Sequence, residues 1–308
     1  MKLIFFGAPE FSAVVLSSLI DTHEVLAVMT QPDRPAGRGG KIVPGEVKKL
    51  AVSAGIPVLQ PVKIKNNFFY DALKSYGADI FAVAAFGRIL PERLLTLPKY
   101  GAVCVHPSML PKYRGAAPIQ RAVMNGEKQT GVSVMQMDPG IDTGDILLRE
   151  TVEITDNDTY GSLHDRLAVL GARLLTDALG LIEIGEIERV KQNDADATYA
   201  AMIDKETGRI DWDKPPAEIL NLIRGLYPRP GAYTIYNGEA LKIWSAAATD
   251  DANGFHGAIS VSPAGEIIVA ARGGGVVLKE MQAPGAKRMG SAAFQRGRRL
   301  PEGDMFGA

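Results

Sequence analysis

Cysteine is nearly missing from this sequence: Cys104 is the one thiol among 308 residues. A single thiol rules out an intrachain disulfide and favours a reducing, cytosolic setting. No Cys and His spacing of the zinc-site kind occurs, so no metal is expected. Long apolar runs are missing too. The opening MKLIFFGAPEF is broken by Gly7 and Pro9 well short of the roughly 20 residues a membrane helix needs, and reads as a buried strand. Net charge is only −1, which argues against a generic polyanion binder. Nucleotide signatures fail as well. Gly7-Ala8-Pro9-Glu10 lacks the glycines of G-x-G-x-x-G, and Glu10 would oppose a pyrophosphate at a helix start. Residues 37–41, GRGGK, lack the Ser or Thr that follows a phosphate-loop lysine. No internal repeat is found.

What is present is a regular alternation. Short apolar runs at residues 2–6, 24–30, 57–59, 80–85, 102–106 and 132–137 read as strands, with amphipathic segments between them. That rhythm predicts βαβ units and a Rossmann-like, doubly wound, mostly parallel sheet. Residues 31–49, QPDRPAGRGGKIVPGEVKK, form a long loop rich in Pro and Gly and carrying Arg34, Arg38, Lys41, Lys48 and Lys49. A structureless loop of that length inside a compact domain is usually functional or disordered, and a mobile basic loop that closes over an anionic partner is the reading favoured. A strand is expected at 146–154. Leu163, Leu167, Leu170, Leu174, Ala178 and Leu181 then recur at steps of three and four, predicting a helix over 159–184 with His164 off its apolar stripe, at the surface.

Residues 185–208 are polar and aperiodic, which divides the chain into a domain at 1–189, a linker at 190–208 and a second domain at 209–308. Past residue 208 the texture changes. A helix is expected at 216–226, then five short runs at 232–236, 241–245, 256–261, 266–271 and 275–281. Such spacing suggests a small barrel like the oligonucleotide-binding (OB) fold. Between residues 272 and 299 the cations Arg272, Lys279, Lys287, Arg288, Arg296, Arg298 and Arg299 face one acid, Glu280. This is a basic surface, either merely solvated or used on a phosphate backbone.

Candidate chemistry concentrates in residues 101–120, GAVCVHPSMLPKYRGAAPIQ. An apolar run delivers His106 to the carboxyl end of a strand, where open α/β sheets place their ligands. Pro107 and Pro111 bound the turn that follows. Two further loops leave strands nearby: Phe86-Gly87-Arg88-Ile89-Leu90-Pro91, and the carboxylate loop holding Asp138, Asp142 and Asp145.

Three stretches together resemble the methionyl-tRNA formyltransferase family, over nearly the whole chain. They are His106-Pro107-Ser108-Met109-Leu110-Pro111-Lys112-Tyr113-Arg114-Gly115-Ala116-Ala117-Pro118-Ile119-Gln120, the loop from Met135-Gln136-Met137-Asp138 to Asp142-Thr143-Gly144-Asp145, and Ile223-Arg224-Gly225-Leu226-Tyr227-Pro228 with Pro230-Gly231-Ala232. The resemblance implies transfer of formyl from the co-substrate 10-formyltetrahydrofolate to the α-amine of initiator methionyl-tRNA, by a cytoplasmic monomer without a metal. It implies His106 and Asp142 as catalytic residues. It also implies folate binding by Phe86, Gly87, Arg88, Ile89, Leu90, Pro91, Ser108, Leu110 and Pro111. Arg34, Arg38, Lys41, Lys287, Arg288, Arg296, Arg298 and Arg299 are then expected to meet tRNA.

The sequence departs from the family pattern at one catalytic position. Where the family has asparagine two residues before the histidine, this chain has Cys104. An amide donates strongly to a developing oxyanion, whereas a thiol donates weakly. Three outcomes are open: a weakened enzyme, a substitute donor, or a Cys104–His106 nucleophile and base working through a thioformyl intermediate. Lesser departures are Gly40 for the first of paired lysines, Arg229 for a tryptophan, and Ala200-Ala201-Met202-Ile203 for Ala-Pro-Lys-Ile. Alternatives to formylation of methionyl-tRNA are N-formylation of an amino-sugar nucleotide, hydrolysis of formyltetrahydrofolate, and a non-enzymatic RNA-binding relative.

Overall fold

The structure, a computed structural model, describes residues 1–36, 41–64, 66–252 and 254–307. By contacts the chain forms two units: residues 1–118, 129–153 and 164–200, and residues 119–128, 154–163 and 201–308.

The first unit contains β1 (Lys2–Gly7), α1 (Glu10–Thr22), β2 (Glu24–Met29), β3 (Arg34–Ala36), β4 (Lys41–Val43), α2 (Glu46–Ser53), β5 (Val58–Leu59), α3 (Asn67–Ser75), β6 (Ile80–Ala84), α4 (Glu92–Leu95), β7 (Ala102–His106) and β8 (Arg114–Gly115). β9 (Gln129–Gln136), β10 (Ile146–Glu153), most of α6 (Tyr160–Ile184) and β11 (Tyr199–Ala200) complete it, while α5 (Pro118–Met124), between β8 and β9 in the chain, belongs with the second unit from residue 119 on. Seven strands pair in the order β10-β9-β7-β6-β1-β2-β5. From β7 to β5 the ladder is parallel; β9 and β10 are antiparallel. The α/β alternation expected from sequence is therefore present, with strand ends shifted by a few residues at most. Parallel strands are covered on both faces and so read as unbroken apolar runs: Ile80–Ala84 and Ala102–His106 are buried throughout.

One face of this sheet packs Ile4, Phe6, Phe81, Val83, Cys104 and Met135 into a single cluster. Phe6 meets Phe81 at 5.0 Å and the edge of Phe86 at 5.4 Å between ring centroids. Backbone approach is tight at Gly7, where a Cβ would collide with Phe5 and Ser12. The Ser12 hydroxyl donates to the Ala84 carbonyl at 2.6 Å, tying the start of α1 to the end of β6.

Three sequence expectations change. Residues 31–49, expected as a structureless loop, include the paired strands β3 and β4 and the first residues of α2, from Glu46. His164 is not a surface residue: its side chain is 14% exposed and it meets the Phe11 ring edge-on at 5.7 Å. An imidazole off the leucine stripe still finds an aromatic partner on another helix, which periodicity along one helix cannot reveal. Residues 190–200, read as linker, are stitched to the first unit. Val190 and Ile146 exchange backbone hydrogen bonds, and β11 pairs in parallel with β8.

The second unit holds α7 (Pro216–Gly225), β12 (Ala232–Tyr236), β13 (Glu239–Thr249), β14 (Ile259–Val261), β15 (Ile267–Ala271), β16 (Gly274–Gln282), β17 (Met289–Gly290) and α8 (Ser291–Arg298). Its antiparallel ladder runs β12-β13-β16-β15-β14, with β17 also on β16. Ile219, Ile223, Leu241, Ile243, Val276 and Leu278 share its core. The indole N–H of Trp212 donates to Thr234 Oγ1 at 3.0 Å, satisfying a polar group that burial would otherwise penalise. Among the described residues no helix is long and apolar enough to cross a membrane.

Candidate active site

The parallel strands β1, β2, β6 and β7 all end at one edge of the sheet, and β7 ends in His106. His106 is 5% exposed and lies opposite Ser133 of β9. Its Nε2 is 2.9 Å from the Tyr113 carbonyl oxygen. A carbonyl only accepts, so Nε2 carries the proton and donates; Nδ1 is then the basic nitrogen of the neutral ring. Nδ1 lies 3.6 Å from Asp142 Oδ2, too far for a hydrogen bond, and the two attract as an ion pair once the ring takes up a proton. The same Oδ2 accepts from the Gly115 N–H at 2.8 Å.

Of the three loop carboxylates only Asp142 faces the histidine. Asp138 is used locally, accepting from the Thr143 hydroxyl and the Gly140 N–H. Asp142 itself has φ of 55°, a left-handed backbone uncommon outside glycine but tolerated by aspartate, and here held by a neighbouring side chain. The amide of Gln192 supplies that hold, donating to the carbonyls of Asp142 (2.9 Å) and Gly144 (2.7 Å).

Side-chain hydrogen bonds brace the turn after His106. The Ser133 hydroxyl donates to the Ser108 carbonyl (2.7 Å) and accepts from the Leu110 N–H (3.1 Å). Ser108 Oγ donates to the Lys112 carbonyl at 2.6 Å, so this hydroxyl shapes the loop. Leu110 is buried, and Pro111 accepts from the Thr198 N–H.

In the loop after β6, Phe86 and Leu90 are buried while Ile89 is exposed. Gly87 has φ of 70°, and a Cβ there would strike the Gln31 amide, whose Nε2 donates to the Phe86 carbonyl at 2.9 Å. Arg88 donates to the carbonyls of Pro61 and Val62, and Pro91 precedes α4.

Cys104 is 9% exposed within the sheet, and its thiol points to the Val105 carbonyl at 3.6 Å. Burial, and after it the Asp142 charge, push the thiol far above its ordinary pKa. The nucleophile-and-base reading needs a thiolate, and this environment works against forming one.

The basic residues divide. Arg38 lies outside the described residues; Arg34 and Lys41 lie on the paired backbones of β3 and β4. In the second unit the Arg288 guanidinium stacks 3.5 Å from the Trp244 ring centroid, and Lys287 is exposed. Arg296, Arg298 and Arg299 are exposed on and beside α8, Arg298 pairing with Glu239 at 3.1 Å. Among the described residues no cluster of His, Cys, Asp and Glu is arranged to hold a metal. Ser133, Gln192 and the buried Arg114 were not singled out as site residues from sequence. Gln192 sits in an aperiodic polar stretch, and no local pattern marks it.

Residues 1–179 match the formyl transferase family, and residues 202–299 match the formyl transferase C-terminal domain. Over 310 aligned residues the chain is 47% identical to the methionyl-tRNA formyltransferase of Pelotomaculum thermopropionicum, covering 100% of this chain and 99% of that one. It is 45% identical to the enzyme of that name from Caldanaerobacter subterraneus subsp. tengcongensis, over 99% of this chain and 100% of the relative. Among solved structures, the N-formyltransferase of Helicobacter canadensis in complex with folinic acid and dTDP-3-aminofucose is similar in fold. Its TM-score is 0.68 at 21% identity, covering 94% of this chain and 100% of that one.

Proposed function

The chain belongs to the methionyl-tRNA formyltransferase family, and on that premise we propose that it transfers the formyl group of 10-formyltetrahydrofolate to the α-amine of methionine esterified to initiator tRNA. The observation that carries this reading is the buried His106 imidazole, with Nε2 committed to the Tyr113 carbonyl and Nδ1 facing Asp142 at 3.6 Å. Acyl transfer to nitrogen needs a group that takes a proton from the attacking amine and returns one to the departing nitrogen. Nδ1 of His106 is the basic atom for that task. Asp142 stabilises the imidazolium that forms, and the Gly115 N–H keeps the carboxylate oriented.

The folate co-substrate supplies the activated formyl carbon. Residues Phe86, Gly87, Arg88, Ile89, Leu90 and Pro91, with Ser108, Leu110 and Pro111, line the two loops assigned to it. The Gln31 bond to the Phe86 carbonyl and the Ser133 bridge keep those loops in shape. Cys104 stands where the tetrahedral oxyanion is to be stabilised, and as a neutral thiol it is a weak donor. The tRNA phosphates are assigned to Arg34, Arg38, Lys41, Lys287, Arg288, Arg296, Arg298 and Arg299. Of these, Lys287, Arg288, Arg296, Arg298 and Arg299 are exposed, which suits backbone contact without base readout. The lone buried thiol suits a cytosolic setting, where the chain is taken to act as a monomer.

One purified sample and one folate donor test the reading against three acceptors: methionyl-tRNA, an amino-sugar nucleotide and water. Formylation is expected on methionyl-tRNA in large excess over the other two. Faster transfer to the sugar amine or to water overturns the assignment. Binding of tRNA without any transfer gives the non-enzymatic relative instead.

A further inference from the structure

Of three consecutive residues, the outer two touch the catalytic candidates and the middle one reaches Gln192. The Tyr113 carbonyl accepts from His106, the Arg114 side chain reaches Gln192, and the Gly115 N–H donates to the Asp142 carboxylate. Asp142 is therefore held from two sides, at its carboxylate by Gly115 and at its backbone by Gln192.

The orientation of the Gln192 amide is unambiguous. Arg114 has only donors, and its Nε and Nη2 meet Gln192 Oε1 at 3.1 and 2.9 Å. That leaves Nε2 to donate, to the carbonyls of Asp142 and Gly144. Arg114 is 2% exposed and its charge is answered by Asp194 at 2.8 Å. The backbone beside Gln192 is anchored in turn by the Val190–Ile146 exchange. Both ends of the Gln192 amide are thus used, Arg114 donates through Nε and Nη2, and the chain ends on Asp142, whose backbone is left-handed.

We infer that Gln192, oriented by Arg114, is a positioning residue for the transfer reaction: it sets the Asp142 carboxylate against Nδ1 of His106. This rests on the formyl-transfer reading for its kinetic arm only. Gln192 touches no reacting atom. It acts through Asp142, so its loss should lower turnover and leave substrate affinity alone. A displacement of about 1 Å at a reacting group costs up to roughly 100-fold in rate.

The full-length Gln192→Glu variant keeps the bulk and the Arg114 pairing but replaces the amide donor with a carboxylate. In steady-state formylation of methionyl-tRNA its kcat should fall about 10- to 100-fold, with KM for folate and for tRNA within about twofold of wild type. Gln192→Leu gives the same readout should the added charge disturb folding. In an Asp142→Asn background either change should produce no further loss, since the two residues act as one unit. A raised KM with unchanged kcat, or full additivity with Asp142→Asn, overturns the proposal. Histidine-ring ¹⁵N spectra read the same geometry without turnover. The His106 ring signals should move in Gln192→Glu while those of His23 and His256 stay. Unmoved His106 signals overturn the proposal; a wild-type protein that transfers no formyl group would instead overturn the reaction assigned above.

Discussion

Replacing Cys104 by asparagine tests the chemistry of the site most directly. The residue lies on β7 between Val83 of β6 and Met135 of β9, 9% exposed, on the strand that ends in His106. Removing one oxyanion donor costs about 100- to 1,000-fold in kcat. A neutral thiol keeps a small part of that stabilisation, so Cys104→Asn is expected to raise kcat by roughly 10- to 100-fold. Stability moves the other way. Fitting an amide into a packed sheet costs about 1–3 kcal/mol, partly offset where the amide finds partners. This lowers the unfolding midpoint by roughly 2–10 °C, far from abolishing the fold. Single-turnover formylation at saturating methionyl-tRNA, with a thermal melt of the same sample, measures both terms. A folded Asn variant with unchanged or lower kcat refutes the weak-donor argument. Cys104→Ala is the control: its rate should sit at or modestly below wild type, and a collapse would mean that the thiol itself performs the chemistry.

Further outcomes follow from other groups. Because burial and Asp142 hold the Cys104 thiol protonated, iodoacetamide at pH 8 should leave the native protein unmodified and add one equivalent after denaturation, read by mass spectrometry. The pKa is raised, so native reactivity should stay low through this range instead of rising with the ordinary thiol. Ser133→Ala removes the bridge between Ser108 and Leu110. It should cost about 1–3 kcal/mol in urea unfolding, because a buried N–H and carbonyl lose their partner. Arg288→Ala should weaken tRNA binding and reduce the slope of log K against log salt by about 1, with folate affinity unchanged; an unaltered slope would remove Arg288 from the phosphate contacts.

The parts of this protein legible in its sequence are those governed by local pattern. Buried parallel strands announce themselves as apolar runs, and Ala102–His106 falls where that pattern puts it. The helix Tyr160–Ile184 follows from leucines at helical spacing. In α8, SAAFQRGR, one large apolar residue leaves no stripe for periodicity to register, and Phe294 finds its place only in the core of the second unit. The catalytic candidates were legible as motif residues: His106 by its place at a strand end, Asp142 by resemblance.

What sequence alone determined, then, is which segments bury themselves and which residue types are carried to the sheet's edge, since both depend on neighbours along the chain. Tertiary structure decided the rest. It chose Asp142 over Asp138 and Asp145, assigned Nε2 of His106 to the Tyr113 carbonyl, and brought Gln192 out of a polar stretch to hold the Asp142 backbone. Those outcomes turn on hydrogen-bond partners up to 80 residues apart, as between Arg114 and Asp194, and no periodicity along the chain encodes such a meeting.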